Sequence, residues 1–104
     1  MPTFNEFQSS LSGSQPPADC GAELAALWWD GHNDWDAAHT AIQALDGESA
    51  AWVHAYLHRK EGDISNARYW YRRAHRDESS ASLDEEWAAI ARTLLDLATG
   101  GSSA

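Results

Sequence analysis

The chain contains very few β-branched aliphatic residues, the type from which β-strands are mainly built. It has one valine and three isoleucines: Val53, Ile42, Ile64 and Ile90. The segments between turn signals are instead rich in alanine, leucine, glutamate and arginine, which are strong helix formers. The sequence therefore predicts an all-α fold.

Cysteine and long apolar runs are also nearly missing. Cys20 is the single cysteine, so an internal disulfide and a metal site with several cysteine ligands are excluded. No segment approaches the run of about 20 apolar residues that a membrane-spanning helix requires, and residues 1–17 contain no basic residue. We therefore expect a protein of the reducing cytoplasm, with no secretory signal and no membrane partner.

Positive charge is missing from the first half of the chain. Residues 1–50 contain no lysine or arginine, although the protein has 7 such residues against 16 aspartates and glutamates, for a net charge of −9. Six of the cations lie within one predicted hairpin: Arg59, Lys60, Arg68, Arg72, Arg73 and Arg76. This distribution predicts an electric dipole, and the negative net charge argues against nucleic acid as a partner.

Two segments of the chain resemble each other in sequence. Residues 27–38 align with residues 56–67, and a turn signal occupies the same place in both copies, Asn33-Asp34 in the first and Gly62-Asp63 in the second. Each copy predicts a pair of antiparallel helices. Because a unit of this size cannot bury its apolar face alone, we expect the two hairpins to stack.

Residue types at the turns predict where helices begin. Asp34 is expected to be the N-cap of the second helix and Ser49 that of the third. A fifth helix has a clearer start, because Ser82 and Glu85 have the spacing of a capping box. An apolar seam follows this start: Leu83, Trp87, Ile90, Leu94 and Leu97. This last helix is expected to close the stack.

These signals divide the chain into three parts. Residues 1–17 are predicted to form a flexible N-terminal segment; the helical spacing of Phe4, Phe7 and Leu11 leaves a short docking helix as the alternative. Residues 18–99 are predicted to form a single helical domain. Residues 100–104, rich in glycine and serine, are predicted to be a disordered tail.

The second hairpin resembles a tetratricopeptide repeat, in which small and aromatic residues on the second helix pack the pair together. The residues that carry the likeness follow Gly62-Asp63: Ala67, Tyr71 and Ala74. The resemblance implies two stacked hairpins over residues 18–76, with the last helix as a capping helix. The stretch 52–63 together with 69–71 is also similar to a group of small microbial proteins, and this likeness implies no activity.

By the tetratricopeptide resemblance, the first helices of the hairpins would line a concave groove for a peptide. In the second hairpin that role would fall on Trp52, Tyr56, Arg59 and Lys60. The two basic residues would suit a carboxylate of the partner. The alternative is a closed bundle, in which the two aromatic residues belong to the core.

A stripe of arginines on the fourth helix is a second candidate surface. Arg68, Arg72 and Arg76 recur every four residues, so they share one side of the helix. With the aromatic residues beside it, the stripe would bind an anionic ligand or an acidic protein. Alternatively, these arginines pair with the acids of residues 1–48, within the chain or across a homodimer.

His54 and His58 are weak candidates for a metal site. They lie four residues apart and therefore share one face of a helix. The surrounding zinc signature is missing, and a further ligand would have to come from the other hairpin, from His32, His39 or Asp30. We therefore expect no metal and no cofactor, and both histidines packed between helices, where burial would resist protonation and acid would loosen the fold.

The sequence contains no recognisable arrangement of nucleophile, acid and base, so it does not indicate an enzyme. The predicted function is a small protein-interaction module, an adaptor or scaffold whose unidentified partner is a protein or peptide, an acidic one where the basic residues bind it. Two alternatives stay open. One is a small metal-dependent or acid–base enzyme that uses His54 and His58, and the other is a purely structural homodimer.

Overall fold

The computed structural model describes residues 2–98, and within them it contains six α-helices and one short 3-10 helix at Ser10–Ser12. The α-helices are α1 (Phe4–Ser9), α2 (Ala22–Gly31), α3 (Trp35–Gln43), α4 (Glu48–Lys60), α5 (Ile64–Arg73) and α6 (Leu83–Ala98). The all-α class is confirmed, since the described residues form no strand. No helix in this part of the chain has the length and apolar character needed to cross a membrane. The predicted tail, residues 100–104, lies outside the described residues.

The turns between α2 and α3 and between α4 and α5 are built in the same way. In each, the residue before the N-cap has a positive φ, 65° at Asn33 and 90° at Gly62, a conformation that asparagine and glycine tolerate best. Asp34 and Asp63 then cap α3 and α5, and each accepts a hydrogen bond from a backbone N–H three residues later. The predicted cap at Asp34 is therefore confirmed.

The starts of α4 and α6 test two further predictions. The capping box of α6 is confirmed, because the N–H of Glu85 donates to Oγ of Ser82 at 3.1 Å and the N–H of Ser82 donates to Oε1 of Glu85 at 3.0 Å. The N-cap predicted at Ser49 is wrong, because α4 begins at Glu48. Gly47, with a φ of 103°, is the N-cap, so the chain enters the helix before it reaches the serine.

The N-terminal segment packs onto the rest of the molecule. Phe7 of α1 is fully buried, and its ring stacks on Trp87 of α6 with a centroid distance of 5.8 Å. The hydroxyl of Ser10 accepts a hydrogen bond from Nε1 of Trp28 at 3.0 Å. The segment 1–17 therefore contains a short helix that contacts Trp87, and the flexibility expected for it stays a prediction.

Helix α4 lies at the centre of the fold. The helix α2 packs against α3, and α4 packs against α5, and α4 also contacts α2, α3 and α6. As a result, every residue from Ala50 to His58 is buried. The helix α6 contacts both α2 and α4, and Nε1 of Trp87 donates to the carbonyl of Leu27 on α2 at 2.9 Å.

A carboxylate from α6 satisfies the polar groups on one side of α4. Glu86 is 3 % exposed. Its Oε1 accepts a hydrogen bond from Nη1 of Arg59 at 2.7 Å, and its Oε2 accepts bonds from the hydroxyl of Tyr71 at 2.6 Å and from Nε1 of Trp52 at 3.3 Å. The carboxylate thus joins α4, α5 and α6, and the guanidinium balances its charge, as burial of a charge requires.

Replacement of Glu86 by alanine is expected to lower the free energy of unfolding by about 3–5 kcal/mol, because a largely buried guanidinium would lose its counter-charge. Urea denaturation followed by circular dichroism measures this loss. The matched control is Glu78→Ala, which removes an exposed carboxylate that pairs with Arg68 and should cost less than about 1 kcal/mol. Equal losses in the two variants would contradict the role assigned to Glu86.

Candidate functional site

Three histidine rings from two helices meet where α3 packs against α4. His39 lies on α3, and His54 and His58 lie one turn apart on α4. The Nε2 atoms of His39 and His54 are 3.2 Å apart, and one potential ligand nitrogen from each histidine lies within 4.8 Å of the other two. The fold therefore brings a third histidine from the first hairpin to the pair that the sequence identified. We call these three residues the histidine cluster.

Two tryptophans hold the rings of the histidine cluster in place. Trp35 stacks on His39 with a centroid distance of 4.9 Å and an interplanar angle of 8°, and Trp70 of α5 stacks on His54 at 3.9 Å and 12°. Nε1 of Trp35 also donates to the carbonyl of Leu57 at 2.9 Å, which ties α3 to α4 beside the cluster. The imidazole rings are thus oriented by the fold itself.

A carboxylate contacts the outer side of the cluster. Nδ1 of His58 lies 2.7 Å from Oε1 of Glu61, whose side chain is 39 % exposed. This hydrogen bond fixes the orientation of the ring and leaves Nε2 as the nitrogen available to a ligand. A carboxylate oxygen of Asp63 also lies within 4.8 Å of the ligand atoms of His58 and Glu61. The cluster therefore has acidic groups at its boundary with solvent.

Burial keeps His54 uncharged at neutral pH. Desolvation is the main cause, and electrostatic repulsion from the neighbouring imidazoles of His58 and His39 adds to it; together they lower the pKa of His54 to about 4. The neutral ring keeps a lone pair on one nitrogen. Neutral imidazole is the form that coordinates a metal ion.

One pair of nitrogens in the histidine cluster has a spacing that two ligands of one metal ion could adopt. Bonds from zinc to histidine nitrogen measure about 2.0–2.1 Å, so two such nitrogens on a tetrahedral ion lie about 3.4 Å apart. The distance of 3.2 Å between His39 and His54 is close to that value, and His58 supplies the third nitrogen. Three protein ligands leave a fourth position for water or an exogenous ligand, as in catalytic zinc sites.

The residues predicted to line a peptide groove make contacts within the chain. They are Trp52, Tyr56, Arg59 and Lys60. Trp52 is 7 % exposed and Tyr56 is 2 % exposed. The hydroxyl of Tyr56 and Nζ of Lys60 both donate to the buried carboxylate of Asp30, at 2.8 Å and 2.9 Å, while Arg59 binds the α6 carboxylate described above. Both aromatic residues thus belong to the core, as in the closed-bundle alternative, while Lys60 is exposed and the groove stays a prediction.

The arginine stripe on α5 is divided in the structure. Arg76 places its guanidinium 3.5 Å from the ring centroid of Trp52 and so covers a core residue. Nε of Arg68 donates to the exposed carboxylate of Glu78 at 2.9 Å, and Arg72 is exposed. Neither partner is one of the acids of residues 1–48 that the pairing alternative named, and Arg68 and Arg72 face solvent.

Comparisons with known proteins yield no relative for this chain. No protein-family model matches it, and neither the curated proteins nor the solved structures give a match. The likeness to tetratricopeptide repeats stays a prediction. The interpretation of the site therefore depends on the geometry described above.

Acid is expected to destabilise the metal-free protein through His54. Folding lowers the pKa of this ring from 6.5 to about 4. The neutral ring therefore makes its full contribution to the free energy of unfolding above pH 6.5, and this contribution is lost as the pH falls towards 4. Urea denaturation between about pH 7 and pH 5, with a chelator present, should give a steeper loss of stability in the wild type than in His54→Gln. Parallel pH profiles of the two proteins would contradict this assignment.

Proposed function

We propose that this protein binds a divalent transition-metal ion, with Zn²⁺ as the first candidate, through His39, His54 and His58. The observation that carries the proposal is the convergence of three imidazoles from two helices, with two of their nitrogens 3.2 Å apart. Imidazole nitrogen is a ligand type that zinc, copper, nickel and iron share. Zinc is the first candidate, because three protein ligands with one open position are the usual arrangement of a catalytic zinc site.

The surroundings of the cluster support metal binding. Metal-ligating histidines usually donate their second ring nitrogen to a carboxylate or carbonyl, and Glu61 is in this position beside His58. Stacking on Trp35 and Trp70 orients the other two rings. Because His54 is neutral at pH 7, its coordination requires no loss of a proton from that ring.

The proposal includes an enzymatic role of a defined class. Three nitrogen ligands leave one position open, and His39 at the edge of the cluster is only half-buried, so solvent reaches the site. A water bound to zinc in such a position has a pKa near 7 and supplies a nucleophile for hydrolysis. This is the metal-dependent alternative predicted from His54 and His58, now with a third ligand.

Zinc binding tests the proposal with two graded variants. Wild-type protein dialysed against Zn²⁺ should retain one ion per chain by elemental analysis, and competition with a chelating dye gives the affinity. Glu61→Gln should weaken binding roughly 10–100-fold, the usual cost of losing a carboxylate that orients a ligand. His39→Gln should weaken it more than Glu61→Gln does, because it removes a ligand itself.

The control variant is His75→Gln, which removes a histidine that is exposed and pairs with Glu48 outside the cluster. Its zinc affinity should equal that of the wild type. Zinc should also raise the melting temperature of the wild type and of His75→Gln, because the ion would join α3 to α4. A wild type that retains no zinc, or equal losses in His39→Gln and His75→Gln, would contradict the proposal.

Two further predictions stay open beside the metal centre. Cytoplasmic location is supported by Cys20, which is a free buried thiol in a chain that has no other cysteine and therefore does not require an oxidising compartment. Interaction with an acidic partner, predicted from the arginine stripe, requires cations that face solvent, and Arg68 and Arg72 meet this condition.

A further inference from the structure

The outer side of α5 is an exposed surface rich in cations, and Glu78 is the acid that contacts it. The sequence from Ile64 to Arg76 contains no aspartate or glutamate, although the chain as a whole has a net charge of −9. Four exposed side chains on α5 form this surface, which we call the arginine face: Arg68, Tyr69, Arg72 and Arg73. A local excess of positive charge in an acidic protein favours an anionic partner at this face.

The cations of the arginine face are available to a partner. Arg68 pairs with Glu78, but both side chains are about half exposed, at 56 % and 51 %, and such surface pairs are weak and exchange readily. Arg72 makes no hydrogen bond, ion pair or ring contact through its side chain within residues 2–98. The positive charge of these two residues is therefore not needed to hold the fold together.

Arg73 contacts two aromatic side chains on α5. Its Nη1 donates to the hydroxyl of Tyr69 at 3.0 Å, and its guanidinium lies 5.8 Å from the ring centroid of Tyr69 and 5.4 Å from that of Trp70. Tyr69 is 43 % exposed. Arginine and tyrosine are enriched among the residues that dominate protein interfaces.

We propose that the arginine face binds an acidic peptide segment of a partner protein. The helix α5 has 10 residues and is thus about 15 Å long, which matches an extended segment of about five residues at about 3.3 Å each. Nucleic acid fits less well, because its phosphates would continue past the face onto a strongly acidic protein. The interaction function predicted from the sequence is thereby assigned to α5 and not to the first helices of the hairpins.

Fluorescence anisotropy with a labelled peptide of six glutamates tests the proposal at low ionic strength. The double variant Arg72→Gln/Arg73→Gln should bind the peptide about tenfold more weakly than the wild type, because two charge pairs are lost. Salt at about 0.5 M should weaken wild-type binding strongly, since it screens exposed charges. A peptide of six lysines should not bind.

The control variant is Arg92→Glu, which changes the net charge by the same two units at a site on α6, where Arg92 contacts Phe4. It should bind the glutamate peptide within about twofold of the wild type. Circular dichroism shows whether both variants fold. His39→Gln should also bind normally, so failure of the metal centre and failure of the arginine face can be distinguished.

Three outcomes would overturn the proposal. Equal weakening in the double variant and in Arg92→Glu would show that only net charge matters. Tighter binding of a short DNA duplex than of the glutamate peptide would point to nucleic acid. A dimer in sedimentation that the double variant abolishes would identify a second copy of this chain as the occupant.

Discussion

The fold depends on the burial of α4, because a helix buried on every side must find a partner inside the protein for each of its polar side chains. Every residue from Ala50 to His58 is buried, and this stretch includes Trp52, His54 and Tyr56. Within residues 2–98, no buried side-chain nitrogen or oxygen lacks a hydrogen-bond partner. The helices around α4 are therefore positioned by its polar groups as well as by its apolar surface.

The partners of α4 differ in kind between its two sides. Towards α2 and α6 they are the carboxylates of Asp30 and Glu86, each with a cation beside it, and this arrangement explains how the bundle closes. Towards α3 the partner of His54 is His39. Two imidazoles satisfy each other only when one donates and the other accepts, and an apolar pair would fill the same space without desolvating polar atoms. The hydrogen bond therefore satisfies one nitrogen of each ring, and the proposed coordination of a cation would replace it.

The features that could be predicted from the sequence are those that depend on local interactions. The all-α class and the caps at Asp34 and Ser82 were predictable because each depends on residues within one turn. Burial of Phe7 was not, since Trp87 becomes its neighbour only when α1 and α6 meet. Glu86 follows Asp84 and Glu85 in the first turn of α6, where any of the three carboxylates interacts favourably with the helix dipole. The sequence does not show that Glu86 is the buried one, because this depends on which face of α6 packs against α4. The sequence left His32, His39 and Asp30 as candidates for the third member of the cluster. Only the packing of α3 on α4 decides that His39 is the one beside His54 and His58.

The scarcity of positive charge connects the closed bundle, the arginine face and the histidine cluster. Among the 7 cations of the chain, Arg59 and Lys60 balance buried carboxylates and Arg76 covers a core tryptophan, so the arginine face holds cations that the fold does not need. A protein with a net charge of −9 repels anions at long range, so the acidic segment proposed above would have to gain its affinity from close contact with this face. The same field attracts divalent cations towards the molecule. The neutral ring of His54 adds no positive charge that would repel these cations. The negative net charge, which disfavours polyanions, therefore favours binding of a metal ion at the histidine cluster.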